Sequence, residues 1–127
     1  MDVFHINLFV DAYRFYILEA KNSDSAKETA IERYAEEEFP DLDDIEDYKI
    51  DNIRLCTTTS KDKGFNYYEI TIKIEGVMRM QIEADSEEEA KEFALEKFHN
   101  TTFDNINNID YNYVEIVSEE ELLELGD

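Results

Sequence analysis

Slid against itself by 64 residues, the chain aligns without a gap, so that Phe4, Ile6, Leu8 and Val10 fall on Tyr68, Ile70, Ile72 and Ile74. The register then holds for the length of the copy. Glu19 and Ala20 meet Glu83 and Ala84; Ala26, Lys27 and Glu28 meet Ala90, Lys91 and Glu92; Ala30 meets Ala94, Tyr34 meets Phe98, Phe39 meets Phe103 and Ile45 meets Ile109. A repeat of this length means that one supersecondary unit is used twice, and neither copy is large enough to bury a stable core alone.

Within each copy the apolar residues first alternate with period two, which predicts β-strand. The small residues at Asp11-Ala12 and Glu75-Gly76 read as a short turn, giving a β-hairpin. An N-cap follows: Ser86 with Glu89 three residues on is a capping box, and Asn22 holds the same place in the first copy. Each cap opens a helix whose stripe is Ala26, Ala30 and Tyr34, or Ala90, Phe93, Ala94 and Phe98. A third strand is expected near 48–55 and near 111–117. The expected fold is therefore α+β: two tandem ββαβ repeats, antiparallel sheets with helices packed on one face, and a short acidic C-terminal helix. Residues 1–56 form the first repeat, 57–65 a polar linker containing Gly64, 66–117 the second repeat and 118–127 an acidic tail or helix with Leu122, Leu123 and Leu125.

On the face away from the helices the second copy presents Glu69, Thr71, Lys73, Arg79, Gln81 and Glu83, a wet surface. The first copy has His5, Asn7, Phe9, Phe15, Ile17 and Glu19 there. Phe9, Phe15 and Ile17 thus mark an apolar interface to be covered by the other repeat, by the tail, by a second chain as a homodimer or by another partner.

Charge narrows the partner. Against 12 Lys and Arg stand 33 Asp and Glu, a formal charge of −21, far beyond what solubility asks of a small domain. Nucleic acid and anionic membrane are poor direct partners, since both need cations on the protein. A basic surface that normally holds nucleic acid is the natural complement. Nine carboxylates fall within 36–51, namely Glu36, Glu37, Glu38, Asp41, Asp43, Asp44, Glu46, Asp47 and Asp51, with Glu87, Glu88 and Glu89 and with Glu119, Glu120 and Glu121 as extensions. A helix and loop with acids at every second position approaches the charge density of duplex DNA. Reversal of Glu36, Glu37, Asp43, Asp44 and Asp47 to Lys is expected to abolish binding and spare the fold.

Catalytic chemistry is hard to write from these residues. His5 and His99 lie far apart without a ligand motif, and Cys56 has no activating base in its sequence neighbourhood. The run from Asp41 to Asp47 lacks the glycine and bidentate glutamate of a calcium loop. No glycine-rich phosphate loop is present among three glycines. No catalytic residue, metal or cofactor is expected. One cysteine, no charged-then-apolar leader and no apolar run long enough to span a bilayer point to the cytoplasm.

The stretch YEITIKIEGVMRMQIEADSEEEAKEFALEKF, residues 68–98, resembles the short strand-strand-helix domains grouped as DpnD/PcfM-like. That resemblance implies a structural pattern and no catalytic residue. By size and acidity the whole chain also looks like inhibitors of phage or mobile-element origin that imitate DNA, of the anti-CRISPR and anti-restriction kind. The function expected is a non-enzymatic inhibitor blocking a nucleic-acid-binding protein such as a CRISPR effector or restriction enzyme inside the host cell. The alternative is an adaptor that works through the apolar sheet face of the first repeat.

Overall fold

The computed structural model describes residues 2–59 and 64–117. The expected C-terminal helix at 118–127, with Glu119, Glu120 and Glu121, and positions 60–63 of the expected linker lie outside the described residues. The chain is α+β, with elements in the order β1 (Asp2–Ala20), α1 (Ser23–Glu36), β2 (Asp44–Thr59), β3 (Asn66–Ala84), α2 (Glu87–Asn100) and β4 (Asn108–Val117).

The expected hairpins are not formed. Each is one strand of 19 residues, about 60 Å long at the usual strand rise. The chain runs straight through Asp11-Ala12 and Glu75-Gly76. Even-numbered residues hold one face from end to end: Ile6, Leu8, Val10 and Ala12, then Tyr16, Leu18 and Ala20, are all buried. Gly76 is small because Leu42 sits on it, and a Cβ built there would stand 2.9 Å from the Leu42 Cδ1 atom. A residue that looked like a turn signal is a contact with a loop.

The four strands make one sheet, not two, in the order β2-β3-β1-β4. β1 and β3 run antiparallel through the middle. The second strand of each half pairs with the long strand of the other half: Asp44 lies opposite Val77, and Asn108 opposite Tyr13. β1 and β2 therefore run parallel with β3 inserted between them, the split-βαβ or ferredoxin-like arrangement. Asp11 pairs with Glu75, its own counterpart 64 residues on. A pseudo-two-fold axis consequently passes through the centre of the sheet, and the halves share a single core.

Both helices lie on the even-numbered face. Asn22 accepts a hydrogen bond from the Ser25 amide and Ser86 from the Glu89 amide, so both expected caps are in place. Ala26, Ala30, Ala90 and Ala94 have no exposure at all, which lets the helix backbones close on the sheet; Tyr34 and Phe98 complete the buried stripes. Phe93, expected in the stripe, is exposed. α1 stops at Glu36, and Pro40, shortly beyond, cannot continue a helix. Ile6, Leu8, Val10, Leu18, Ile70, Ile72 and Ile74 are fully buried, each worth about 1.5–3 kcal/mol of apolar transfer.

Candidate protein-docking surface

The acids between positions 36 and 51 do not form one free surface, because several of them hold the fold. Arg14 donates from Nε to Glu37 Oε2 at 2.8 Å and from Nη2 to Glu37 Oε1 at 2.9 Å, a bidentate pair that ties the end of α1 to β1. Its partner guanidinium holds the Glu37 carboxyl below the usual range, with burial opposing. The Tyr16 hydroxyl is buried beside this pair without a hydrogen-bond partner, and burial, reinforced by the Glu37 charge, pushes its pKa up to about 12. Asp41 accepts from the Asp104 amide at 2.8 Å, linking the α1–β2 and α2–β4 loops. Asp43 accepts from the Arg79 amide at 2.6 Å. Reversal of Glu37 or Asp43 would therefore strike the fold, contrary to the expectation from sequence.

The remaining acids are placed differently. Glu36 and Glu38 are exposed at the end of α1, and Asp44, Glu46 and Asp47 are exposed at the start of β2. Asp44 stands 3.5 Å from Arg79 at the surface. Asp51 is exposed farther along β2, where the register slips between Ile50 and Asn52. Glu87 and Glu88 open α2 beyond Ala84, whereas β2 begins opposite Val77. That leaves at least about 25 Å of strand between the two groups, so the structure does not bring them together.

It does bring together acids that sequence reading missed. Asp110, Asp11, Glu75 and Asp47 are successive cross-strand partners on β4, β1, β3 and β2. Four carboxylates thus form one row across the whole sheet, and like charges placed opposite each other cost stability. Among the described residues the one ion pair in this row is Lys73 with Asp11, at 3.9 Å. Asp44 and Glu46 continue the row along β2. The signal was available: Asp11 and Glu75 occupy the same place in the repeat, but both had been assigned to turns.

The odd-numbered face is the open one. Phe9 is half-buried and stacks on Tyr113, with ring centroids 4.3 Å apart and planes 18° from parallel. Phe15 and Ile17 are 41% and 66% exposed. They lie on the part of β1 beyond Tyr13, where β4 no longer pairs with it.

His5 sits opposite Gln81 and Leu55, beside Cys56, opposite Tyr68, thirteen β3 positions and some 40 Å apart. His99 is exposed, edge-on to Phe98 and Tyr111. Among the described residues no three of His, Cys, Asp and Glu are placed to hold a metal ion, and no helix is long and apolar enough to cross a membrane. No family model, curated protein or solved structure matches the chain.

Proposed function

We propose that the chain is a non-enzymatic inhibitor that offers a band of carboxylates to the cationic groove of a nucleic-acid-binding protein, of the kind found in CRISPR effectors and restriction enzymes. Phage or mobile-element origin and action in the host cytoplasm belong to the same proposal. The observation that supports it is the acidic band Asp44, Glu46, Asp47, Glu75, Asp11 and Asp110, met by one lysine in its central row. The row spans about 15 Å at the spacing of neighbouring strands. Duplex DNA presents roughly nine charges over that length, so six carboxylates are of the same order. The same band argues against direct nucleic-acid binding. Four-stranded RNA-binding sheets stack bases on aromatics of the open face; here Phe9, Tyr13, Phe15 and Tyr113 flank carboxylates that repel phosphate.

We also infer that the chain is a tandem repeat, its unit being βαβ rather than ββαβ. The support is the constant offset of 64 between β1 and β3, between α1 and α2, and between the starts of β2 and β4. Residues 1–56 and 66–117 then form the copies and 57–65 the join.

The test is capture from a bacterial lysate by wild-type protein and by a variant carrying Asp44→Asn, Glu46→Gln, Asp47→Asn and Glu75→Gln, with Glu37, Asp41 and Asp43 kept. The expected result is a nucleic-acid-binding protein that duplex DNA or added salt releases and that the variant does not hold. Capture that is equal for both proteins and indifferent to DNA counts against the proposal.

The exposure of Phe15 and Ile17 favours a second reading, an adaptor or homodimer that uses this part of the sheet. Phe15→Ser with Ile17→Ser would then break association at any salt concentration.

A further inference from the structure

At the centre of the open face the sheet is hollowed, and the hollow is built from all four strands. Phe9, Val10, Glu46, Glu75, Gly76, Asn112 and Tyr113 line a cavity of about 180 Å³. Val10 and Gly76 are paired in register at its floor. Because Gly76 carries no side chain and the Val10 side chain is buried on the helix side, the floor is backbone. The stacked rings of Phe9 and Tyr113 form one wall. Glu46 and Asn112 enter from the two outer strands at the places where each has an extra residue: the register skips Glu46 between Ile45 and Asp47, and skips Asn112 between Tyr111 and Tyr113. A bulge of this kind re-aims a side chain. Glu75 completes the rim from β3.

We propose that this hollow is a binding site for one arginine side chain of the basic partner. The inference rests on the inhibitor reading and names the point at which the partner is gripped. Three features select the ligand. The volume lies below the few hundred Å³ of a small-molecule pocket and suits a single head group. Glu46 and Glu75 have no ion-pair partner among the described residues, since Lys73 reaches Asp11 instead; with the Asn112 carboxamide they offer acceptors to a cation. An apolar ring wall on one side favours a guanidinium over an ammonium, because the guanidinium is planar and weakly hydrated, whereas the ammonium must keep its water.

The experiment is a titration of the full chain, labelled for amide NMR, with octa-arginine and separately with octa-lysine in low salt. Octa-arginine is expected to bind about fivefold more tightly than octa-lysine, with the largest shifts at Phe9, Gly76 and Tyr113. Phe9→Leu and Glu75→Gln should each bring the ratio to about one; Glu75 is exposed, so the second variant tests the site even if the first fails to fold. Equal affinities in the wild type, or an arginine preference that survives Glu75→Gln, overturn the site. Equal peptide affinities alongside DNA-sensitive capture of a nucleic-acid-binding protein would refute the hollow and leave the acidic band standing. An arginine preference without such capture would refute the inhibitor reading and leave the hollow as a guanidinium site.

Discussion

Asp43 and Asn107, 64 residues apart, make the same pair of bonds at the two ends of the pseudo-symmetric sheet. The Asp43 amide donates to the Val77 carbonyl at 2.8 Å and its carboxylate accepts from the Arg79 amide at 2.6 Å. The Asn107 amide donates to the Tyr13 carbonyl at 2.9 Å and its carboxamide oxygen accepts from the Phe15 amide, also at 2.9 Å. Each residue lengthens the ladder by one step just before β2 or β4 begins. Since a neutral carboxamide does this in one half, Asp43→Asn should leave stability within about 0.5 kcal/mol, whereas Asp43→Ala should lose about 1–2 kcal/mol. Urea denaturation of the two variants reads the difference.

The pair Arg14–Glu37 sets an acid limit on the fold. The Glu37 carboxyl lies below its ordinary value of 4.5 in the folded chain, so its contribution is fully present above that value and is lost as pH falls through the lowered one. Glu37→Gln should cost about 1–2 kcal/mol at neutral pH and should flatten the stability profile below about pH 4.5, where the wild type keeps falling. Denaturation midpoints from pH 7 down to pH 3 provide the check. The second half holds Met78 and Met80 where the first has Arg14 and Tyr16, so this limit belongs to one half alone.

Gly76 should tolerate little. An added Cβ meets the end of the Leu42 side chain, which is able to swing aside, so Gly76→Ala is expected to cost about 1 kcal/mol and Gly76→Val about 1–3 kcal/mol. Leu42→Ala would relieve part of the second penalty. A double-mutant cycle on Gly76→Val and Leu42→Ala should return a coupling above about 0.5 kcal/mol.

Much of the fold was legible. Both caps, both helix stripes and the assignment of Phe15 and Ile17 to the open face follow from periodicity and capping chemistry. The unbroken strands were legible in only one copy. A two-residue turn at 11–12 would set Tyr13, Phe15 and Ile17 on the face of Val10, Leu8 and Ile6, an apolar set as acceptable as the true one. The same turn at 75–76 would set Val77, Arg79 and Gln81 on the face of Ile74, Ile72 and Ile70, burying a guanidinium; Met78, Met80 and Ile82 fit the continuous strand instead. The second copy therefore resolved what the first left open. The carboxylate row was hidden because it depends on each half lending a strand to the other. Register between distant strands leaves no local mark on the sequence, so Asp11 and Asp110 looked unrelated to Asp47.

That row also ties stability to function. Glu75 faces Asp11 on one side and Asp47 on the other. Glu75→Gln should stabilise the chain by about 0.2–1 kcal/mol in low salt, an effect that shrinks as salt screens the repulsion. Thermal melts at low and high salt test this. A destabilised Glu75→Gln would mean that the charge is structural.

The central claim is that the acidic band is the surface a cationic groove accepts. It is tested most directly by measuring affinity for the captured protein against salt concentration, for wild type and for the variant with Asp44→Asn, Glu46→Gln, Asp47→Asn and Glu75→Gln. The account predicts steep weakening with salt in the wild type, and in the variant a flatter dependence with at least about tenfold weaker binding at low salt. Superimposable curves for the two proteins would contradict it.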